Sequence, residues 1–126
     1  MKTQPILETD DFIVEWEEST IPWVKIFPKK ECRELSECPK ALRYALVDLC
    51  CLIESVMLAY YRPDKINVAS FGNYLPRVHV HVMARFRDDS HFPEPTWGER
   101  QREGRLELPG KEGFEKALEK AWKEAS

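Results

Sequence analysis

Along this chain the spacing of apolar residues changes period several times. The segment FIVEWEES from Phe12 mixes β-branched and aromatic residues, and PWVKIFP from Pro22 is a similar run with a proline at each end. Both runs read as strands, and because prolines cannot donate to a ladder, Pro22 and Pro28 mark the ends of the second. From Pro39 the period lengthens. Leu42, Leu46, Leu49, Ile53 and Met57 recur at three- and four-residue intervals, with Ala45, Cys50 and Ala59 filling in. That spacing predicts an amphipathic helix over 39–61, about six turns at 1.5 Å per residue. Pro39 suits its first turn, Ser36 lies close enough to cap it, and Arg62-Pro63 ends it.

Beyond the helix, KINVASF from Lys65 reads as a strand, GNYLP as a turn and RVHVHVMARF from Arg77 as a second strand. Together they predict an antiparallel hairpin with a loop of about five residues. Between the early strands and the helix, KKECRELSECP reads as a connector with one short helical turn, and RDDSHFPEPTWGERQREG reads as loop. Phe114, Leu118 and Trp122, at i, i+4 and i+8, predict a closing helix. The order of strands, helix, hairpin, loop and helix implies an α+β domain with a mainly antiparallel sheet. One domain is expected over 1–126, with its core at about 5–98 and a loop and helix over 99–126.

Composition narrows the function classes. The net charge is −3, with basic residues scattered among acidic ones, which disfavours binding to nucleic acid by charge alone. No window approaches the roughly 18 apolar residues of a membrane span, and the N-terminal MKTQPILETDDF has no long apolar stretch. The expected compartment is the cytoplasm, with Cys32, Cys38, Cys50 and Cys51 reduced. Cys50 and Cys51 fall inside the helical pattern as small apolar residues, and no CxxC pair completes a metal site with Cys32 and Cys38.

The chemistry concentrates in RVHVHVMARF. Side chains alternate faces along a strand, so Val78, Val80, Val82, Ala84 and Phe86 share one face and Arg77, His79, His81, Met83 and Arg85 the other. The apolar face can pack on the long helix, which leaves arginines and imidazoles in a row that suits an anion. Three readings compete. The row is a solvated polar face, or His79 and His81 are metal ligands, or one imidazole is a nucleophile and the other its helper. A catalytic metal site usually takes three protein ligands, and no acidic residue follows within 82–86. A neutral imidazole near its ordinary pKa of about 6.5 is available to attack phosphorus at physiological pH. A neighbouring imidazole, backbone N–H groups and small polar side chains can stabilise charge on the phosphoryl oxygens.

RVHVHVMAR resembles the histidine triad motif, His-φ-His-φ-His-φ-φ, with Arg77 at the first position. The ordered set PWVKIFPK, long helix, DKINVASFGN and HVHVMARFRDDSHFPEPTWG resembles the short bacterial, diadenosine polyphosphate hydrolase-like branch of the histidine triad (HIT) family over roughly residues 5–98. The resemblance implies a nucleotide hydrolase or transferase. Its nucleophile attacks the α-phosphate of a nucleoside phosphoramidate or dinucleoside polyphosphate, and water releases the monophosphate from a nucleotidyl-histidine. On that pattern His79 is the nucleophile and His81 hydrogen-bonds a phosphate oxygen or the leaving group. Asn67 matches the family's phosphate- or ribose-contacting Asn, Asn73 is a second polar contact, and Gly72 lets the backbone approach the phosphate. A homodimer is also implied, with the hairpin or the long helix at the interface. No tightly held cofactor is implied, although Mg²⁺ can arrive with a polyphosphate.

Two departures stand out: Arg77 replaces the first motif histidine, and no histidine precedes His79. Orienting the nucleophile needs only an acceptor for its ring N–H, which a backbone carbonyl near Arg77 can supply. Other residues keep two readings each. Arg85 assists polyphosphate binding or is a solvated charge, and His91 contacts substrate or is an exposed loop histidine. Trp97 reaches the site or only anchors its loop, while Trp16, Trp23 and Phe27 line a nucleoside pocket or fill the core. A nucleotide-binding or interaction protein that kept the fold without turnover, and a metal-dependent enzyme using His79 and His81, are the rival functions.

Overall fold

The computed structural model describes residues 4–125, so residues 1–3 and 126, at the ends of the expected domain, lie outside the described residues. The strands are β1 (Leu7–Glu8), β2 (Phe12–Trp16), β3 (Trp23–Pro28), β4 (Lys65–Ala69) and β5 (Val80–Arg85). The helices are α1 (Lys40–Tyr61) and α2 (Lys111–Ala125). The strands form one antiparallel sheet in the order β1-β2-β3-β5-β4. The α+β expectation therefore holds. No helix among the described residues is long and apolar enough to cross a membrane.

One face of the sheet is a conventional core. Val14, Val24, Ile26, Val80, Val82 and Ala84 pack with Leu46, Leu49, Ile53, Val56 and Met57 of α1 into a single buried cluster. Phe114 and Leu118 of α2 are fully buried in the same cluster. Trp16 belongs here too: it meets Phe114 at 5.3 Å between ring centroids, and its indole N–H donates to Glu115 at 2.8 Å. It therefore plays no part in a nucleoside pocket.

Several local expectations need correction. Ser36 does not cap α1. It lies in a single 3-10 turn, Leu35–Glu37, while Pro39 itself takes the N-cap position without a side-chain bond. The helix ends at Arg62, whose φ of 51° and ψ of 52° are left-handed. The β4–β5 hairpin is shorter in its strands and longer in its loop than the sequence implies, because residues 70–79 leave the ladder. Arg77 N–H bonds to the Leu75 carbonyl and Val78 N–H to the Cys32 carbonyl, so neither joins the β4 ladder. The two-residue strand β1 carries too little pattern to be found in sequence.

Gly113 marks a tight crossing between the helices. The Tyr60 hydroxyl donates to the Gly110 carbonyl at 2.6 Å, and a Cβ at Gly113 would stand 2.1 Å from that hydroxyl oxygen. Gly113→Ala gains about 1 kcal/mol of helix propensity but forces a clash costing about 1–3 kcal/mol. The expected outcome is a lower thermal midpoint. A variant as stable as the native chain in a calorimetric scan would show that Tyr60 moves aside at no cost.

Candidate active site

Directly paired residues of an antiparallel ladder point to the same face, so the register lays out the other face of the sheet as a grid. Glu15, Lys25, His81 and Ala69 form one row across β2, β3, β5 and β4. Trp23, Met83 and Asn67 form the next, extended by Glu17, whose N–H bonds to the Trp23 carbonyl. On the other side, Phe27 stacks on His79 at 5.2 Å with an interplanar angle of 15°. The two imidazoles lie 5.2 Å apart.

This face is not the wet polar surface the alternation suggests. His79 and His81 are each only 8 % exposed, because residues 71–75 and Trp97 rise over them. A cavity of about 540 Å³ results, within the range of roughly 300–1,000 Å³ usual for small-molecule sites. Aromatic rings make much of its wall: Trp23, Phe27, Phe71, Tyr74 and Trp97. Trp97 packs edge-on against His81 at 5.2 Å, Trp23 at 5.1 Å and Phe71 at 4.6 Å.

Hydrogen bonds set the two imidazoles in opposite tautomers. His79 Nδ1 lies 2.9 Å from the Arg77 carbonyl oxygen. A carbonyl only accepts, so Nδ1 carries a proton, and in the neutral ring Nε2 then keeps its lone pair. The Trp23 indole N–H donates to His81 Nδ1 at 2.9 Å. An indole only donates, so Nδ1 of neutral His81 is bare and Nε2 carries the proton. Burial, reinforced by His79 and Lys25 and opposed by Glu17, lowers the His81 pKa from 6.5 to about 4. In its neutral form His79 thus offers a bare Nε2 that can attack, beside a neutral His81 whose Nε2–H can donate.

The carbonyl acceptor for His79 is thus the one belonging to Arg77, while the Arg77 side chain turns elsewhere. Its guanidinium donates to the Pro28 carbonyl, lies 3.8 Å from Glu31 and stands over the Phe27 ring at 5.7 Å. Gly72 and Asn73 line the cavity; Gly72, at φ +84°, takes the left-handed turn that brings the loop over the site. Asn67, Arg77, Arg85 and His91 do not line it. His91 shares a hydrogen bond with the Ser90 hydroxyl at 2.7 Å, which holds its ring within the loop.

Arg85 is the largest departure from expectation, for it is 1 % exposed and neither solvated nor open to a ligand. It makes two bonds to Asp89, at 3.0 and 3.1 Å, one to Asn67 Oδ1 at 2.8 Å and one to the Glu94 carbonyl at 2.7 Å. Asp89 in turn accepts from the N–H groups of Phe86, His91 and Phe92. Burial alone would raise the Asp89 carboxyl, but the Arg85 guanidinium and those N–H groups outweigh it and hold it below the ordinary value. This cluster folds the loop that brings Thr96 to the Met83 sulfur and Trp97 to His81. Lys25 and Glu17, both on the cavity wall, were not singled out by sequence; the signal for Lys25 is its two-residue spacing from Trp23 and Phe27, which puts all three on one face, and Glu17, just past β2, has none. Among the described residues no group of three or more His, Cys, Asp or Glu is placed to hold a metal ion.

Two tests follow. Arg85→Met leaves a buried carboxylate unpaired and is expected to cost about 3–5 kcal/mol. Denaturant unfolding checks this, and a loss below about 1 kcal/mol, the level of a surface pair, would place the cluster among dispensable ones. For His81, the folded chain refuses a proton that the unfolded chain accepts near pH 6.5. Stability should therefore fall as pH drops from about 6.5 toward 4, while the His81 ring signals in an NMR titration stay those of neutral imidazole. A midpoint near 6.5 for His81 would contradict the assignment.

Comparison with known proteins identifies the family and the fold. The model of the HIT domain family matches residues 3–88. A histidine triad protein from Marinobacter aquaeolei is 25% identical, with a TM-score of 0.78 over 98% of this chain and 91% of that one. One from Bradyrhizobium japonicum is 23% identical, with a TM-score of 0.77 over 94% and 90%. One from Sinorhizobium meliloti is 23% identical, with a TM-score of 0.74 over 96% and 88%. No match was found among curated proteins.

Proposed function

The chain belongs to the HIT domain family, and from that premise we propose that it is a nucleotide hydrolase or transferase of the short, diadenosine polyphosphate hydrolase-like branch. It cleaves at the α-phosphate of a nucleoside phosphoramidate or dinucleoside polyphosphate. The observation that carries this reading is the pair of Nδ1 contacts, His79 to the Arg77 carbonyl and His81 to the Trp23 indole N–H, which set opposite tautomers in the neutral rings. His79 Nε2, freed by the Arg77 carbonyl, forms a bond to phosphorus as the bond to the leaving group breaks. The leaving group departs with the bonding electron pair, a phosphate as its anion and an amine with a proton taken from solvent, and a nucleotidyl-histidine remains. The N–H on Nε2 of His81, fixed by Trp23, supports a phosphoryl oxygen or the leaving atom. Water then attacks phosphorus and gives a proton to solvent, the P–N bond returns its electrons to Nε2 of His79, and the nucleoside monophosphate leaves. Phe71, Tyr74 and Trp97 offer faces on which a base can stack.

The reading requires no resident cofactor, and Mg²⁺ enters only with a polyphosphate substrate. It also includes a homodimer. In support, β4 is an edge strand with Val68 exposed, and α1 exposes Tyr44, Val47 and Leu58, so an unpaired strand edge and apolar side chains are available to a second copy.

Incubation with adenosine 5′-phosphoramidate should release AMP, and a chelator should not reduce the rate. His79→Ala should lower the rate at least about 10³-fold, and His81→Ala about 10²–10³-fold, the cost of one transition-state donor. AMP release that survives His79→Ala would remove the covalent mechanism. Nucleotide binding with no AMP from the native chain would leave a non-catalytic binder, and loss of phosphoramidate activity with chelator would indicate a metal enzyme.

A further inference from the structure

We propose that Lys25 reads the leaving group, so that the preferred substrates carry a further phosphate on the α-phosphate rather than an amine. This rests on the hydrolase or transferase reading above. A phosphate leaving group gains negative charge that a cation of the wall can offset, beyond any Mg²⁺ it carries, and the described residues lining the cavity include one Lys or Arg side chain, Lys25. The Arg85 guanidinium is consumed by Asp89, Asn67 and the Glu94 carbonyl. That of Arg77 is turned to Pro28 and Glu31. His81 is neutral at physiological pH and contributes a dipole but no charge.

Position favours the same role. Lys25 pairs directly with His81 across β3 and β5, beside the ring whose N–H faces the phosphoryl oxygens or the leaving atom. Its ammonium lies 3.1 Å from Glu17 and 4.0 Å from Glu15, and its side chain is 22 % exposed, so it is held at the wall yet reachable. Glu17 also lines the cavity. Without Lys25 the neighbourhood of His81 would carry carboxylates alone and repel a polyphosphate; with it, the ammonium can exchange a carboxylate for a phosphate oxygen.

Proton balance points the same way. When His79 Nε2 bonds to phosphorus and the P–O bond breaks, the electron pair stays on the leaving phosphate, which departs as an anion with no proton to be supplied. An amine leaving group must depart protonated on nitrogen, and neutral His81 could give its Nε2 proton only by becoming an imidazolate. Charge neutralisation by Lys25 is thus the help the site is built to give.

The test compares AMP release from diadenosine tetraphosphate and adenosine 5′-phosphoramidate. Lys25→Met should lower the ratio of kcat/KM for the polyphosphate over the phosphoramidate about 10–100-fold, the loss of one charge-assisted hydrogen bond. Lys25→Arg should restore most of the ratio, and Glu17→Gln, which frees the ammonium, should raise it. Equal losses on both substrates in Lys25→Met, or a fall in the ratio for Glu17→Gln, would overturn the proposal. If the native chain released AMP from neither substrate, the enzymatic reading would fail, and titration with ATP and with adenosine would decide on Lys25 separately. Weaker ATP binding with adenosine binding unchanged in Lys25→Met would support it, and unchanged ATP binding would overturn it.

Discussion

Everything at the site depends on the register between β3 and β5. Because Trp23 pairs with Met83 and Lys25 with His81, the indole N–H of Trp23 reaches His81 Nδ1 and the Phe27 ring lies flat on His79. A slip of one residue would turn both imidazoles into the core and bring valines to the cavity. The register is secured on the opposite face, where Val24, Ile26, Val80 and Val82 are packed with α1. The hydrophobic energy of one face therefore fixes the chemistry of the other. His79 and His81 add nothing to that packing, but they inherit its precision.

A second constraint holds the site closed. The Arg85–Asp89 pair is fully buried, and the cost of burying two charges is offset only because each is saturated with hydrogen bonds. That saturation shapes the loop carrying Thr96 and Trp97, and through it one wall around His81. Asn67 fits the same scheme: its carbonyl oxygen accepts from Arg85, which ties β4 to the loop. A strand arginine that looks like a phosphate contact in sequence is, in the fold, the anchor of the aromatic wall.

Burial also accounts for the division of labour between two identical side-chain types. His81 is bonded to an indole and crowded by His79 and Lys25, which disfavour a second positive charge and keep it a neutral donor. His79 is bonded to a carbonyl that holds the proton of the neutral ring on Nδ1, which leaves its outer nitrogen with the lone pair. The first motif histidine is not needed for that, because the backbone of Arg77 provides the acceptor whatever its side chain.

Much of this was legible in the sequence. The periods of two and of three to four residues marked β2, β3, α1, β5 and α2, and the alternation in RVHVHVMARF put both histidines opposite the valines. A carbonyl acceptor near Arg77 was also foreseeable, since it depends on the backbone alone. The tertiary structure decided the rest. Whether an arginine meets solvent, substrate or a carboxylate is not a property of its own strand, and Arg85, Arg77 and Asn67 were settled by partners at Asp89, Pro28 and each other's elements. Lys25 and Glu17 drew no attention as charges of the early strands, because only the pairing of β3 with β5, and the bond of Glu17 to Trp23, bring them beside His81. Periodicity records which face a side chain takes; what lies across that face is fixed by strand pairing and loop closure between residues far apart in the chain.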